Sequence, residues 1–129
     1  MVADDDSLRN PSAKVRYLGA ARWGVSENWH MRLTSAALIP LTIAFVWLML
    51  SLLSKDYNGV RAVLGRPLPA IIVMLFALVS IYHMQIGARS VILDYVHGRA
   101  KEWALMANMF FTGALALACV YAVLRIGFV

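Results

Sequence analysis

Four side chains in the second half of the chain are of types that do chemistry, at spacings that group them: His83, Gly87, Asp94 and Tyr95. On a helix each residue turns ~100°, so Gly87, Ser90 and Asp94 fall within ~40° of the His83 direction. Tyr95 points ~100° further round than Asp94, and Ser80 lies ~60° to one side of His83. One face is therefore small and polar, while Ile, Val, Leu and Met fill the rest. An imidazole in the middle of an apolar stretch marks a functional site, because hydrocarbon tolerates a charged ring poorly. The ring is expected to be neutral, either coordinating a metal or hydrogen-bonded to another helix. Gly87, one turn along, leaves room for a flat macrocycle or for a tight helix crossing.

Asp94 and Tyr95 fall where this helix leaves the hydrocarbon. A phenol O–H is a good donor to a carbonyl oxygen and stays protonated at neutral pH. The carboxylate beside it can hold a basic group or pass a proton. Tyrosine at a membrane interface and aspartate near a helix end are also common features with no chemical task.

The elements that must position these groups are apolar helices. Of 129 residues, 61% are hydrophobic and 15% charged, well away from the near-half and quarter of a soluble domain. Residues 33–53, 67–88 and 103–124 carry no charged side chain, taking histidine as neutral. Each is long enough to cross ~30 Å of hydrocarbon at ~1.5 Å per residue. Little chain remains for a soluble domain. The expected fold is all-α: an integral membrane unit of three helices, at about 29–53, 69–95 and 101–125, within an anchor domain 16–129. Residues 1–15, with an acidic triplet and nothing apolar to tie them down, are expected to be disordered or held by a partner.

The net charge of +5 does not point to nucleic acid, because the basic residues flank the spans. Eight of the twelve lie in the N-terminal segment and around the second loop, against four on the other side. That bias places the N-terminus, and with it Asp94 and Tyr95, on the cytoplasmic face. The opening Asp4-Asp5-Asp6 is unlike an acid-poor transit peptide, so a bacterial plasma membrane is favoured. Cys119, the single cysteine, can form no intrachain disulfide and reads as a small buried hydrophobe.

Among the supporting residues, Pro40 is expected to bend span one, with Thr34, Ser35 and Thr42 satisfying the freed backbone. The segment 54–69 reads as turn. Asn108 and Thr112 read as interhelical hydrogen-bond donors, and Gly113, Ala114, Ala116 and Ala118 as a packing seam. Arg89 can snorkel to a lipid phosphate or a partner. His30 and His97 sit at span ends, so a haem held by His83 with two axial ligands takes its second from another chain.

Together these features resemble the D-type hydrophobic membrane anchor of succinate dehydrogenase, respiratory complex II. The resemblance rests on His83-x-x-x-Gly87, six residues, then Asp94-Tyr95-Val96. It also rests on Gly19-Ala20-Ala21-Arg22-x-Gly24-Val25, continued by Trp29-His30-Met31-Arg32-Leu33-Thr34-Ser35-Ala36. It covers about residues 16–129. The chain departs from the pattern at Met31, where many relatives have Gln, and at Gln85, where they have bulky apolar residues. The resemblance implies a second, C-type anchor subunit and one haem b shared between two histidines, one from each chain, with His83 as this chain's iron ligand and Gly87 beside it. It places the quinone-site tyrosine on Tyr95, with Asp94 as its acidic neighbour. It implies docking of a flavoprotein and an iron–sulfur subunit on the cytoplasmic face, so that electrons from succinate reach quinone. Such a chain is not an enzyme alone. From another class, the same His83 and Asp94 suit a small proton-coupled transporter or channel subunit that uses them as relay groups.

Overall fold

The computed structural model describes residues 22–128, and all of these that adopt regular structure are helical. The helices are α1 (Arg22–Leu52), α2 (Tyr57–Leu64), α3 (Pro67–Tyr95) and α4 (Arg99–Phe128). The expected disordered segment 1–15 lies outside the described residues. Two units are distinguished. In Met1–His30 the described residues are the opening turns of α1, and Met31–Val129 holds the rest.

Three helices are long and apolar enough to cross a membrane, over Ser26–Leu52, Pro67–Tyr95 and Arg99–Gly127. Their interior is not an oily core. Among the described residues only Ile81 and Ile86 are buried apolar side chains, while the buried polar ones are Thr34 and Thr112. Large apolar side chains such as Ile39, Trp47, Phe110 and Leu117 face outward. In lipid that inversion is physically sensible, since apolar surface gains nothing by leaving acyl chains. What must be hidden is the polar hydrogen-bonding group.

The elements start and stop where their residues dictate. Pro67 and Pro69 occupy the first turn of α3, where a missing N–H costs least. The α3–α4 turn is made by Gly98 at φ +67°, a left-handed backbone that a side chain disfavours. Helix α1 runs on through Pro40, and the nearby hydroxyls do not serve the proline as expected. Thr34 and Ser35 both bond to the Met31 carbonyl, one turn too early to reach the carbonyl that Pro40 frees.

Segment 54–69 is more ordered than its turn-forming composition suggests. Asp56 caps α2, its Oδ1 accepting the Gly59 N–H at 3.0 Å. Val60, Val63 and Leu64 then turn inward, which makes α2 a short amphipathic helix between spans one and two. Of the seam residues Gly113, Ala114, Ala116 and Ala118, only Ala116 is half-buried and the other three are exposed in this chain, where a Cβ at Gly113 would meet nothing within 4 Å.

Candidate functional site

Helix α3 is the middle helix of the second unit, and the two faces it presents explain the site. On the His83 face it meets α1. The Phe45 and Phe76 rings stack at 4.2 Å and 11°, and Phe76 lies ~20° from the His83 direction. On the opposite side α4 packs closely, and Asn108 Nδ2 donates to the Gln85 carbonyl at 3.1 Å. That bond uses the backbone at 85, not the glutamine side chain. The sequence expectation for Asn108 is met. Thr112, expected to bridge helices, donates instead to the Asn108 and Met109 carbonyls of its own helix.

The imidazole of His83 is half-buried. Its Nδ1 lies 2.9 Å from Thr34 Oγ1, and the same hydroxyl lies 3.0 Å from the Met31 carbonyl. The roles of these atoms depend on the tautomer: with the hydroxyl proton on the Met31 carbonyl, Oγ1 accepts from His83 Nδ1–H. The Nε2 lone pair is left available. A second-shell partner on one ring nitrogen, fixing the ring and freeing the other, is the usual arrangement of a metal-ligating histidine. Both readings open at the sequence level, a tie to another helix and a ligand, are therefore compatible in one ring: Nδ1 makes the tie and Nε2 remains.

Among the described residues no three His, Cys, Asp or Glu side chains converge as a metal cluster. A lone ring nitrogen suits a metal already carried by a macrocycle better than a bare ion. Gly87 lies one turn along with only the methyl of Met31 near it, 3.8 Å from where a Cβ would stand. The surroundings of Gly87 fit a flat ring lying against the helix, since the one neighbour is the end of a flexible side chain.

Thr34 was assigned no such role in the sequence, yet depth along the helices points to it. Helices α1 and α3 are antiparallel and joined by the α2 segment. Thr34 is ~27 Å from the Leu52 end of α1, and His83 is ~24 Å from the Pro67 end of α3, at ~1.5 Å per residue. The same count pairs Asn108, ~14 Å into α4, with Gln85, ~15 Å before the end of α3. Polar groups at matched depth find each other.

Asp94 and Tyr95 close α3. Asp94 is exposed and Tyr95 is 78% exposed. Neither has a hydrogen-bond or ionic partner among the described residues. They lie ~17–18 Å along the axis from His83, so the structure keeps the ring and the pair at separate depths. A carboxylate in the last turn sits at the negative end of the helix dipole, disfavoured by ~0.3–1 kcal/mol. Helix stability alone does not account for an aspartate there.

With this geometry in place, comparison with known proteins is informative. The family model for the succinate dehydrogenase/fumarate reductase transmembrane subunit matches residues 6–123. The chain belongs to that family. It is similar to the "Succinate dehydrogenase hydrophobic membrane anchor subunit" of Paracoccus denitrificans, 32% identical over 117 residues, covering 91% of this chain and 91% of that protein. It is also similar to the protein of the same name from Rickettsia bellii (strain RML369-C), 26% identical over 118 residues, covering 90% and 94%. No solved structure matches the chain significantly. As a multi-pass member of this family, it has the three spans that the apolar stretches call for.

Proposed function

We propose that this chain is the D-type anchor of a succinate:quinone oxidoreductase and that His83, through Nε2, would hold a haem b shared with a second, C-type anchor. The observation that carries the haem assignment is the Thr34–His83 contact, which orients a half-buried ring and, with Nδ1 as the donor, leaves Nε2 free to ligate. Family membership and the names of the relatives support the wider reading. When bound, haem supplies a one-electron redox centre whose potential follows its axial ligands and burial. The chain's own part is to hold the ring. Thr34 fixes its rotation and tautomer from α1, while Asn108 fixes the α3 backbone two residues on, from α4. Gly87 keeps the adjacent surface flat.

Quinone is the second ligand in this reading, taken at the α3 terminus. The Tyr95 hydroxyl donates a hydrogen bond to a quinone carbonyl, stabilising the negative charge that develops there on reduction. Asp94 orients or supplies protons to the same oxygen. Both groups are exposed in the isolated chain, and in the assembly the iron–sulfur subunit covers this end and delivers electrons, with the flavoprotein subunit beyond it. In this reading the membrane is a bacterial inner membrane, and the distribution of basic residues puts the N-terminus on its cytoplasmic side.

The test is a reduced-minus-oxidised spectrum of the purified complex, wild type and His83→Ala. A b-type band present in the first and lost in the second supports the assignment. An unchanged band in the variant moves the ligand elsewhere, and a wild-type complex with no such band removes haem from the account.

A further inference from the structure

At the end of the bundle remote from Tyr95, α2 and the last turns of α4 flank a half-open cavity of about 530 Å³ lined by Tyr57, Arg61, Leu64, Tyr121, Arg125 and other side chains. It lies ~43 Å along α3 from the Asp94–Tyr95 end, at the opposite membrane surface. Two guanidiniums line this one space. Neither has a hydrogen-bond or ionic partner among the described residues, and no acidic side chain lines the cavity. The nearest carboxylate in sequence, Asp56, is engaged in capping α2. Two unpaired like charges sharing a cavity repel, and an anion between them relieves the repulsion.

A second feature says what kind of anion. An apolar groove of about 500 Å³ lies alongside, lined by Ala70, Ile71, Met74, Leu75, Val123 and Leu124. A narrow gap between the two spaces is bounded by Leu64, Ala70, Val123 and Ile126, so each space shares two of its residues. The arginines and tyrosines stand where hydrocarbon gives way to head groups, and the groove follows α3 and α4 toward the membrane interior. An inorganic anion would leave that groove unused.

We propose that this cavity and groove form a binding site for one anionic phospholipid. Its phosphodiester sits between Arg61 and Arg125, the Tyr57 and Tyr121 phenols face its polar head, and an acyl chain lies along Met74 and Val123. Guanidinium forks suit a phosphate by paired N–H donation, and basic pockets between spanning helices are places where lipid head groups are held.

Native mass spectrometry of the whole purified complex, delipidated and then offered phosphatidylglycerol or phosphatidylcholine, tests this. Wild type is expected to retain one phosphatidylglycerol and not phosphatidylcholine, with inorganic phosphate unable to displace it. Neutralising both arginines in R61Q/R125Q is expected to weaken retention about twenty-five-fold, at about fivefold per charge. R61K/R125K is expected to keep most of it, and an unchanged haem spectrum shows that the variants assemble. Equal retention of the two lipids by wild type overturns the proposal without recourse to any variant. So does displacement by inorganic phosphate, undiminished retention in R61Q/R125Q, or a wild-type cavity that takes no lipid because an acidic partner segment fills it.

Discussion

Replacing Thr34 with valine removes one hydroxyl and almost no volume, and it isolates the interaction that orients His83. Thr34 is buried, and its oxygen is the partner of Nδ1 at 2.9 Å. Loss of a neutral hydrogen bond costs about 1 kcal/mol net, and a buried donor left unmatched costs ~1–3 kcal/mol. One kilocalorie is about a fivefold change in an equilibrium constant. Removing a second-shell partner of a ligating histidine weakens metal binding by ~10–100-fold. A hydroxyl is a weaker acceptor than a carboxylate, so Thr34→Val should fall near the low end, about tenfold. The assay is haem content of the purified complex, with the rate of haem loss to excess apomyoglobin. Thr34→Ser keeps the oxygen and should behave as wild type. If Thr34→Val holds haem as wild type does, while His83→Ala does not, the hydroxyl does not set the ring and the tautomer argument fails.

Other expectations follow from single contacts. Tyr95→Phe should lower quinone reduction about tenfold or more, by loss of a donor to developing negative charge. Succinate oxidation with a soluble acceptor should be unchanged, and equal losses in the two assays would mean misassembly. Asn108→Leu removes one interhelical bond and should destabilise the solubilised complex by roughly 0.6 kcal/mol, read as a lower midpoint of thermal unfolding. Gly98→Ala places a side chain at φ +67° and should cost about 1–2 kcal/mol, visible in the same melt. A larger midpoint loss for Asn108→Leu than for Gly98→Ala would contradict at least one of these estimates.

The spans were legible because membrane solvation acts on composition directly: twenty uncharged residues admit little but a helix. Helix α2 was not, because Asp56, Asn58, Gly59 and the neighbouring prolines also spell turn. What separates the two is the Asp56 cap followed by Val60, Val63 and Leu64 on one face. His83 stood out as an ionisable group in hydrocarbon, whereas Thr34 did not, since a hydroxyl in a membrane helix commonly bonds its own backbone. Thr34 does so as well, and helix face distinguishes it from Ser35: Thr34 lies ~20° from the Phe45 direction that meets α3, and Ser35 ~80° from it. The small-residue seam says only that something packs closely, since Gly and Ala serve equally well against another chain. In the isolated chain that side faces outward.

The most direct measurement is a density map of the intact assembly at a resolution that shows the ring of His83. The account requires Nε2 to point at the iron of a porphyrin shared with a neighbouring anchor chain, and Nδ1 to stay on Thr34. A ring whose Nε2 instead meets lipid or a protein carbonyl, with the porphyrin absent or held by other residues, would contradict it.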